Sequence, residues 1–339
     1  MQCSDLIALP RQRLELTALG MGCAAIGGLY QATSEQQAKA AIDEAWCLGL
    51  RYFDTAPYYG FTLSEHRLGA ALRERARDQF VISTKVGRCM TPDSSVRPGD
   101  SGWALPMPFR PVFDYTYDGV LRSHQDSLQR LGLDRVDMLF VHDIGRQTHN
   151  DQHAHYWHQL TTGGGFRALE QLRSEGQVAA VGLGVNETQV IVDSMEEIDL
   201  DCTLLAGRYT LLEQDSLGLL NQCDRRGNAI VIGGPFNSGI LAGNRTFNYQ
   251  EAPADIVRRV EQIAKVCAQF AVPLPAAALQ FPMGHPAVVS CIPGGRDVAQ
   301  LGQNSAWFEL PIPPGLWAEL KHQGLLNENA PVPDASGES

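Results

Sequence analysis

The stretch RYFDTAPYYG, residues 51–60, carries two chemically active side chains at the end of a predicted strand. Residues 52–56 form a short β-prone run that a proline and a glycine terminate. Asp54 and Tyr59 therefore fall where a buried strand passes into a loop. Taken alone, such a pair is more typical of an aspartate that caps a turn and a tyrosine that packs on it.

Two later apolar runs repeat this arrangement and change the interpretation. Residues 80–86 form a predicted strand with Lys85 near its end, and residues 136–141 form another that His142 follows directly. An aspartate, a tyrosine, a lysine and a histidine thus stand at the ends of successive predicted strands. This recurrence favours a site for chemistry over a set of unrelated turns.

Strands and helices alternate along most of the chain. The strands are apolar without a two-residue alternation, which is typical of a parallel sheet buried on both faces. Eight such βα units in about 300 residues predict an α/β fold, a closed (β/α)₈ or TIM barrel, with its site at the carboxyl ends of the strands. The predicted strands are 19–22, 52–56, 80–86, 136–141, 179–185, 202–206, 229–232 and 287–292. The predicted helices are 38–48, 64–76, 120–131, 166–175, 187–195, 215–225, 254–270, 275–281 and 316–321.

A competing motif lies near the amino terminus. Gly20-x-Gly22-x-x-Ala25, with Asp43 about twenty residues later, is a loose dinucleotide-binding fingerprint. A Rossmann fold would need a helix that begins at these glycines. Instead, the helical pattern begins only after Ser34-Glu-Gln-Gln37, a capping box. We therefore favour the barrel.

Composition sets outer limits on function. The chain has 339 residues, 44% of them hydrophobic and 19% charged, which is enough apolar material for a large core. A formal net charge of −11 disfavours nucleic acid and anionic membranes as partners. No apolar run approaches the roughly 20 residues of a spanning helix, so the prediction is a soluble cytoplasmic protein. The eight cysteines are scattered without a C-x-x-C pair, and we expect them to be reduced.

The motifs Asp54-Thr-Ala-x-x-Tyr59-Gly60 and Ser83-Thr-Lys85, followed by His142, resemble those of the aldo-keto reductases over nearly the whole chain. Segments 205–214, 233–243 and 276–281 are most similar to the branch that holds D-threo-aldose (L-fucose) 1-dehydrogenases and pyridoxal 4-dehydrogenase. The resemblance implies oxidation of the anomeric hydroxyl of an aldose such as L-fucose, L-galactose or D-arabinose to a lactone. The alternatives are formation of 4-pyridoxolactone from pyridoxal, an NADPH-dependent aldehyde reductase, and a catalytically silent nucleotide-binding sensor or regulatory subunit.

The four side chains suit proton transfer to or from a substrate oxygen. A phenol has a pKa near 10, so Tyr59 needs a nearby ammonium, Lys85, to stabilise its anion. Asp54 would fix the Lys85 side chain, and His142 would hydrogen-bond the substrate oxygen. Side chains cannot supply or accept a hydride, so a nicotinamide cofactor is implied.

The resemblance also implies cofactor contacts. Asn186 would hold the carboxamide of the nicotinamide and Tyr209 would stack on its ring. Many family members add a glutamine on strand six, but the matching place here is Ala206 or Gly207. The loop that resembles the one over the pyrophosphate offers Gly234, Phe236, Asn237, Ser238 and Leu241.

The adenosine end of the cofactor is expected beyond the last strand. NADP-using relatives carry a lysine and an arginine where this chain has Gly294 and Gln300, and the loss of two cations weakens the binding of a 2′-phosphate. Arg296 would compensate only in part, and Asn304 lies in the same segment. We therefore predict NAD in preference to NADP.

Two predicted loops are long enough to line a substrate pocket. Residues 88–118 carry Trp103 and Phe109 as expected substrate contacts, and residues 143–165 are rich in histidine. We predict no metal site there, because no carboxylate framework holds the histidines. The chain is expected to be one barrel domain with a tail at about 311–339, whose last six residues are expected to be disordered. The oligomeric state is left open.

Overall fold

The computed structural model describes residues 1–248 and 250–333, and the predicted disorder of residues 334–339 lies outside that range. Eight strands form one sheet in which every neighbouring pair is parallel. In chain order they are β1 (Met21–Gly22), β2 (Tyr52–Asp54), β3 (Val81–Val86), β4 (Met138–His142), β5 (Ala180–Val185), β6 (Cys202–Ala206), β7 (Ala229–Gly233) and β8 (Val288–Ile292).

The two edges of this sheet meet. Bridges join Leu19 to Cys291 and Gly22 to Gly294, and the Gly20 amide donates to the Cys291 carbonyl over 2.9 Å. The predicted (β/α)₈ barrel is therefore confirmed. The chain after Gly22 enters a short 3₁₀ turn, Ala25–Gly27, and not the long helix that a Rossmann fold requires.

Helices surround the barrel. They are Glu35–Cys47, Leu63–Leu72, Tyr117–Leu131, Gly165–Ser174, Gln189–Met195, Leu217–Arg226, Ala254–Gln269, Leu274–Gln280, Val298–Glu309 and Pro314–His322. Ser34 and Gln37 form the predicted capping box at the first of them. The third begins three residues earlier than predicted because the Thr116 hydroxyl accepts from the Gly119 amide and starts the helix there.

Hairpins and short helices lie in several of the connecting segments. A hairpin, Leu6–Ala8 with Glu15–Thr17, closes the amino-terminal end of the barrel. A second hairpin, Arg88–Pro92 with Phe109–Phe113, occupies most of the first long loop. Two short helices, Arg146–His149 and His153–Leu160, occupy the second. A third hairpin, Thr246–Phe247 with Gln250–Glu251, follows β7.

Two apolar layers hold the barrel together. The interior is filled by inward-facing side chains of alternate strand positions, among them Tyr52, Phe140 and Leu204, all buried. The outer layer lies between the sheet and the helices. All eight cysteines are free, and seven of them are buried. Within the described part of the chain no single helix could span a membrane, and one bent pair, Ala254–Gln269 with Leu274–Gly284, passes the length and composition test only jointly.

The approach of β5 to β6 depends on a glycine. A Cβ placed on Gly182 would lie 1.6 Å from the carbonyl oxygen of Cys202, a backbone atom that cannot move without distorting the sheet. We expect Gly182→Ala to lower the free energy of unfolding by roughly 3 kcal/mol or more. Urea-induced unfolding followed by circular dichroism measures this.

Gly218 provides the matched control. It lies in a helix, and a Cβ added there would meet nothing within 4 Å. Gly218→Ala should be neutral or stabilise the fold by about 0.5–1 kcal/mol. A Gly182→Ala protein as stable as the wild type would show that the barrel tolerates a wider β5–β6 spacing.

Candidate active site

A cavity of about 340 Å³ opens at the carboxyl ends of the barrel strands. Asp54 and Tyr59 line it, together with residues that follow β1, β6 and β7. A second cavity, of about 590 Å³, lies at the opposite end of the barrel under the first hairpin. None of the predicted catalytic or cofactor residues lines that second cavity. We therefore expect the chemistry at the first cavity, at the end where barrels of this kind carry their sites.

A buried ion pair forms the floor of this site. The Lys85 ammonium donates to both oxygens of Asp54, at 2.9 and 2.7 Å, and to the Thr55 carbonyl at 2.9 Å. The Ser83 hydroxyl donates to Asp54 over 2.7 Å. Burial alone would lower the pKa of Lys85, but the Asp54 carboxylate and the Tyr59 phenol outweigh it, so the pKa is raised. Lys85 is therefore a permanent cation.

Tyr59 lies over this cation. The Lys85 nitrogen is 4.7 Å from the centre of the Tyr59 ring. Burial raises the pKa of Tyr59 to about 12, while Lys85 pulls it down and Asp54 pushes it up. The expected influence of Lys85 is present, but burial outweighs it. The reason is that Asp54 neutralises much of the positive charge that Lys85 offers the phenol.

His142 stands beside Tyr59 as a neutral base. The two rings are 6.0 Å apart, edge to face. Burial, with help from the charges of Arg88 and Lys85, lowers the pKa of His142 well below its ordinary value. Its Nε2 lies 3.5 Å from an oxygen of Asp143, and its buried Nδ1 has no hydrogen-bond partner among the described residues. A neutral imidazole can donate one hydrogen bond to a substrate oxygen without competing for the proton that Tyr59 carries.

These pKa directions predict how the rate depends on pH. Oxidation of a hydroxyl needs Tyr59 without its proton, and that form increases about tenfold per pH unit below a pKa of about 12. His142 stays neutral over the same range. We expect kcat/KM for oxidation to rise steadily between about pH 6 and about pH 10, and kcat/KM for carbonyl reduction to stay nearly flat. Initial rates in both directions test this, and an oxidation rate that falls with pH would contradict it.

Six of the predicted cofactor residues line the cavity: Asn186, Gly234, Phe236, Asn237, Ser238 and Gly294. A Cβ on Gly207 or Gly294 would meet nothing within 4 Å, so the backbone there is open to a bound group. The buried Oδ1 of Asn237 has no hydrogen-bond donor among the described residues. Open glycine backbone and an unused amide acceptor fit a nicotinamide dinucleotide, whose amide and hydroxyl groups are donors.

Other predicted contacts lie elsewhere. Tyr209 is fully buried between Phe281 and His285 and does not line the cavity, so it offers no free face to a nicotinamide ring. Leu241 is also fully buried and outside the lining. Both side chains pack into the core behind the loop and support its backbone.

The segment after β8 is tied to other loops. The Arg296 guanidinium donates to the Gln31 side chain at 2.6 Å and to the Leu29 carbonyl at 3.0 Å. Gln300 accepts from the Arg296 amide over 2.9 Å, and Asn304 donates to the Gly294 carbonyl over 3.2 Å. Arg296 thus connects the loop after β1 and the loop after β8 through these hydrogen bonds.

The two expected substrate contacts differ in position. Trp103 is buried beside Tyr59, with ring centres 5.9 Å apart, and pairs with Leu29 in an isolated bridge. Phe109 pairs with Pro92 at the far end of its hairpin and does not line the cavity. Two histidines of the second long loop have protein partners: His149 contacts the Tyr115 hydroxyl at 2.9 Å, and His153 contacts the Ile144 carbonyl at 3.1 Å.

The sequence analysis missed three charged side chains around the site. Arg88 donates to Asp143 at 2.6 Å and stacks at 4.2 Å over the Tyr58 ring. Asp143 directly follows β4 and Arg88 lies two residues beyond the end of β3, positions that could have indicated them. Arg208 lines the cavity and directly precedes Tyr209, the residue that the family resemblance indicated instead.

Comparison with known proteins agrees with this geometry. The pattern of the Aldo/keto reductase family matches residues 18–323. The chain is 50% identical to pyridoxal 4-dehydrogenase of Microbacterium luteolum, over 96% of this chain and 99% of that one. It is 41% identical to D-threo-aldose 1-dehydrogenase of a Pseudomonas species, over 92% and 95%.

Solved structures share the fold. An aldo-keto reductase of Bacillus halodurans superposes with a TM-score of 0.73 at 22% identity, covering 99% of this chain and 98% of that one. The glycerol dehydrogenase of Gluconobacter oxydans superposes with a TM-score of 0.72 at 19% identity, with full coverage of both chains. The protein is an NAD(P)-dependent oxidoreductase that belongs to the aldo/keto reductase family.

Proposed function

We propose that the protein oxidises the cyclic hemiacetal of pyridoxal to 4-pyridoxolactone, with NAD⁺ as the oxidant. The observation that carries this proposal is the 50% identity to a pyridoxal 4-dehydrogenase over almost the full length of both chains. The motifs alone had put the aldose reaction first, and the higher identity reverses that order. Oxidation of an aldose remains the second candidate, supported by 41% identity to a D-threo-aldose 1-dehydrogenase.

The same four side chains serve either substrate. The hemiacetal hydroxyl gives its proton to the Tyr59 phenolate, the C–H bond of the same carbon breaks, and a carbonyl forms within the ring. A bound nicotinamide supplies the hydride acceptor. His142 orients the reacting oxygen through a hydrogen bond, and Lys85 stabilises the phenolate while Asp54 holds Lys85 in place.

Aromatic side chains pack around Tyr59 and hold its ring in place for either substrate. Tyr58 and Trp103 lie edge to face with ring centres 5.6 Å apart, and Trp103 also contacts Tyr59. The Arg88 guanidinium lies on the Tyr58 ring.

NAD is the proposed cofactor in preference to NADP. Gly294 and Gln300 stand where a phosphate clamp has cations, and the Arg296 guanidinium is engaged with Leu29 and Gln31. A 2′-phosphate would have to displace those two hydrogen bonds.

The test is the formation of reduced nicotinamide, measured by absorbance, with NAD⁺ and NADP⁺ in parallel. The substrates are pyridoxal, L-fucose, L-galactose, D-arabinose and D-glucose. The proposal expects kcat/KM to be highest with pyridoxal and NAD⁺. A preference for the L-sugars or D-arabinose would establish the second candidate instead. Binding of the cofactor without turnover of any substrate would favour a nucleotide sensor and overturn both.

A further inference from the structure

The cavity holds little positive charge for a ligand that is an anion. Arg208 is the one lysine or arginine among the described residues that line it. Lys85 lies beneath the floor and is paired with Asp54. A nicotinamide dinucleotide carries two negative charges on its diphosphate, and such a group binds best to a planar guanidinium.

The Arg208 side chain is only loosely held. It lies 3.3 Å from an oxygen of Glu213 and contacts the side-chain oxygen of Asn248. Its Nε is buried and has no hydrogen-bond partner among the described residues. The guanidinium is therefore paired with the Glu213 carboxylate on one edge. Among the described residues, its other donors contact only the neutral side chain of Asn248 or have no partner.

Glu213 connects Arg208 to the loop after β7. Asn237 donates to the second oxygen of Glu213 over 2.6 Å and reaches the Gly207 carbonyl at 3.3 Å. Asn237 and Ser238 both adopt left-handed backbone conformations, with φ of 46° and 60°, which turn this loop back over the cavity. Arg208 thus lies beside the carboxyl ends of β6 and β7. The neighbouring Gly207 leaves space there, because a Cβ on it would meet nothing within 4 Å.

We propose that Arg208 binds the diphosphate of the cofactor. Phosphate oxygens replace Asn248 as partners and accept from the Nε, which has no partner among the described residues, while Glu213 keeps the guanidinium plane in place. This inference rests on the proposed use of a nicotinamide dinucleotide, and it assigns the contact to a side chain just after β6, outside the loop that the family resemblance singled out.

Direct binding separates this role from a structural one. The ligands are NADH, ADP-ribose and reduced nicotinamide riboside, which has no phosphate; dissociation constants come from calorimetry or from quenching of protein fluorescence. We expect Arg208→Met to weaken NADH and ADP-ribose about 10- to 100-fold and to leave the riboside unchanged. Arg208→Lys keeps the positive charge but loses the planar set of guanidinium donors. Its affinities for NADH and ADP-ribose should lie between those of Arg208→Met and the wild type. The dependence of NADH affinity on salt should also be shallower in Arg208→Met.

Arg225→Met is the control for the loss of one positive charge. Arg225 is exposed on the last turn of its helix, and its substitution should change none of the three affinities. Equal NADH affinity in Arg208→Met and the wild type would overturn the inference, as would an equal loss for all three ligands, which indicates a collapsed cavity. A wild-type protein that binds neither NADH nor NADPH would overturn the proposed function itself.

Discussion

Tyr59→Phe is expected to lower kcat by about 10²- to 10⁴-fold while the dissociation constant for the cofactor stays within a factor of two or so. The change removes one oxygen atom, the proton acceptor, and leaves the ring that contacts Trp103 and His142. The neighbouring His142 is a poor substitute, because burial and the charges of Arg88 and Lys85 lower its pKa well below the ordinary value and make it a weak proton acceptor. Steady-state rates with a titration of cofactor fluorescence measure both quantities.

Tyr117→Phe is the matched control. The Tyr117 hydroxyl donates to Gln171 on the outer layer of helices, and the residue does not line the cavity. Its loss should leave kcat within about twofold of the wild type. Turnover retained in Tyr59→Phe would remove the phenol from the account of proton transfer, whatever the substrate proves to be.

Lys85→Met is expected to damage both catalysis and stability. It removes the cation that stabilises the Tyr59 phenolate, which costs about 10²- to 10⁴-fold in kcat/KM. It also leaves the Asp54 carboxylate, whose side chain is 2% exposed, without its ion-pair partner. An unpaired buried charge of this kind costs about 3–5 kcal/mol in the free energy of unfolding.

A double variant separates the two effects. In Asp54→Asn with Lys85→Met neither position carries a charge, so part of the lost stability should return while activity stays low. Urea unfolding and initial rates on both variants test this. If the double variant is no more stable than Lys85→Met, then the Asp54 carboxylate is not the source of the instability. Wild-type rates in Lys85→Met would contradict the role given to the ammonium.

The barrel, and the location of the four candidate catalytic residues at or near strand ends, could be predicted because both follow from local patterns. Buried parallel strands appear as apolar runs, and Asp54, Lys85 and His142 each stand at the end of such a run. Boundaries were less predictable, because Thr116 starts its helix through a side-chain hydrogen bond that apolar spacing does not reveal. The hairpin within residues 88–118 was missed because its pairing depends on residues about twenty positions apart.

Contacts that depend on side-chain direction could not be predicted. Tyr209 matches a motif, yet its ring turns into the core against Phe281, while its neighbour Arg208 faces the cavity. The pKa of Tyr59 was expected to fall because Lys85 is near, but burial raises it. That balance depends on how much water and how much of the charge of Asp54 reach the phenol, and neither is encoded in spacing along the chain.

The fate of the hydrogen on the hemiacetal carbon shows whether this site oxidises pyridoxal by hydride transfer. Pyridoxal carrying deuterium at its aldehyde carbon is incubated with the protein and NAD⁺, and both products are analysed by mass spectrometry. The account predicts one unlabelled lactone for each molecule of deuterium-labelled NADH. Failure of pyridoxal to react, or a lactone that keeps its deuterium, would contradict the proposal that this site oxidises the pyridoxal hemiacetal by hydride transfer.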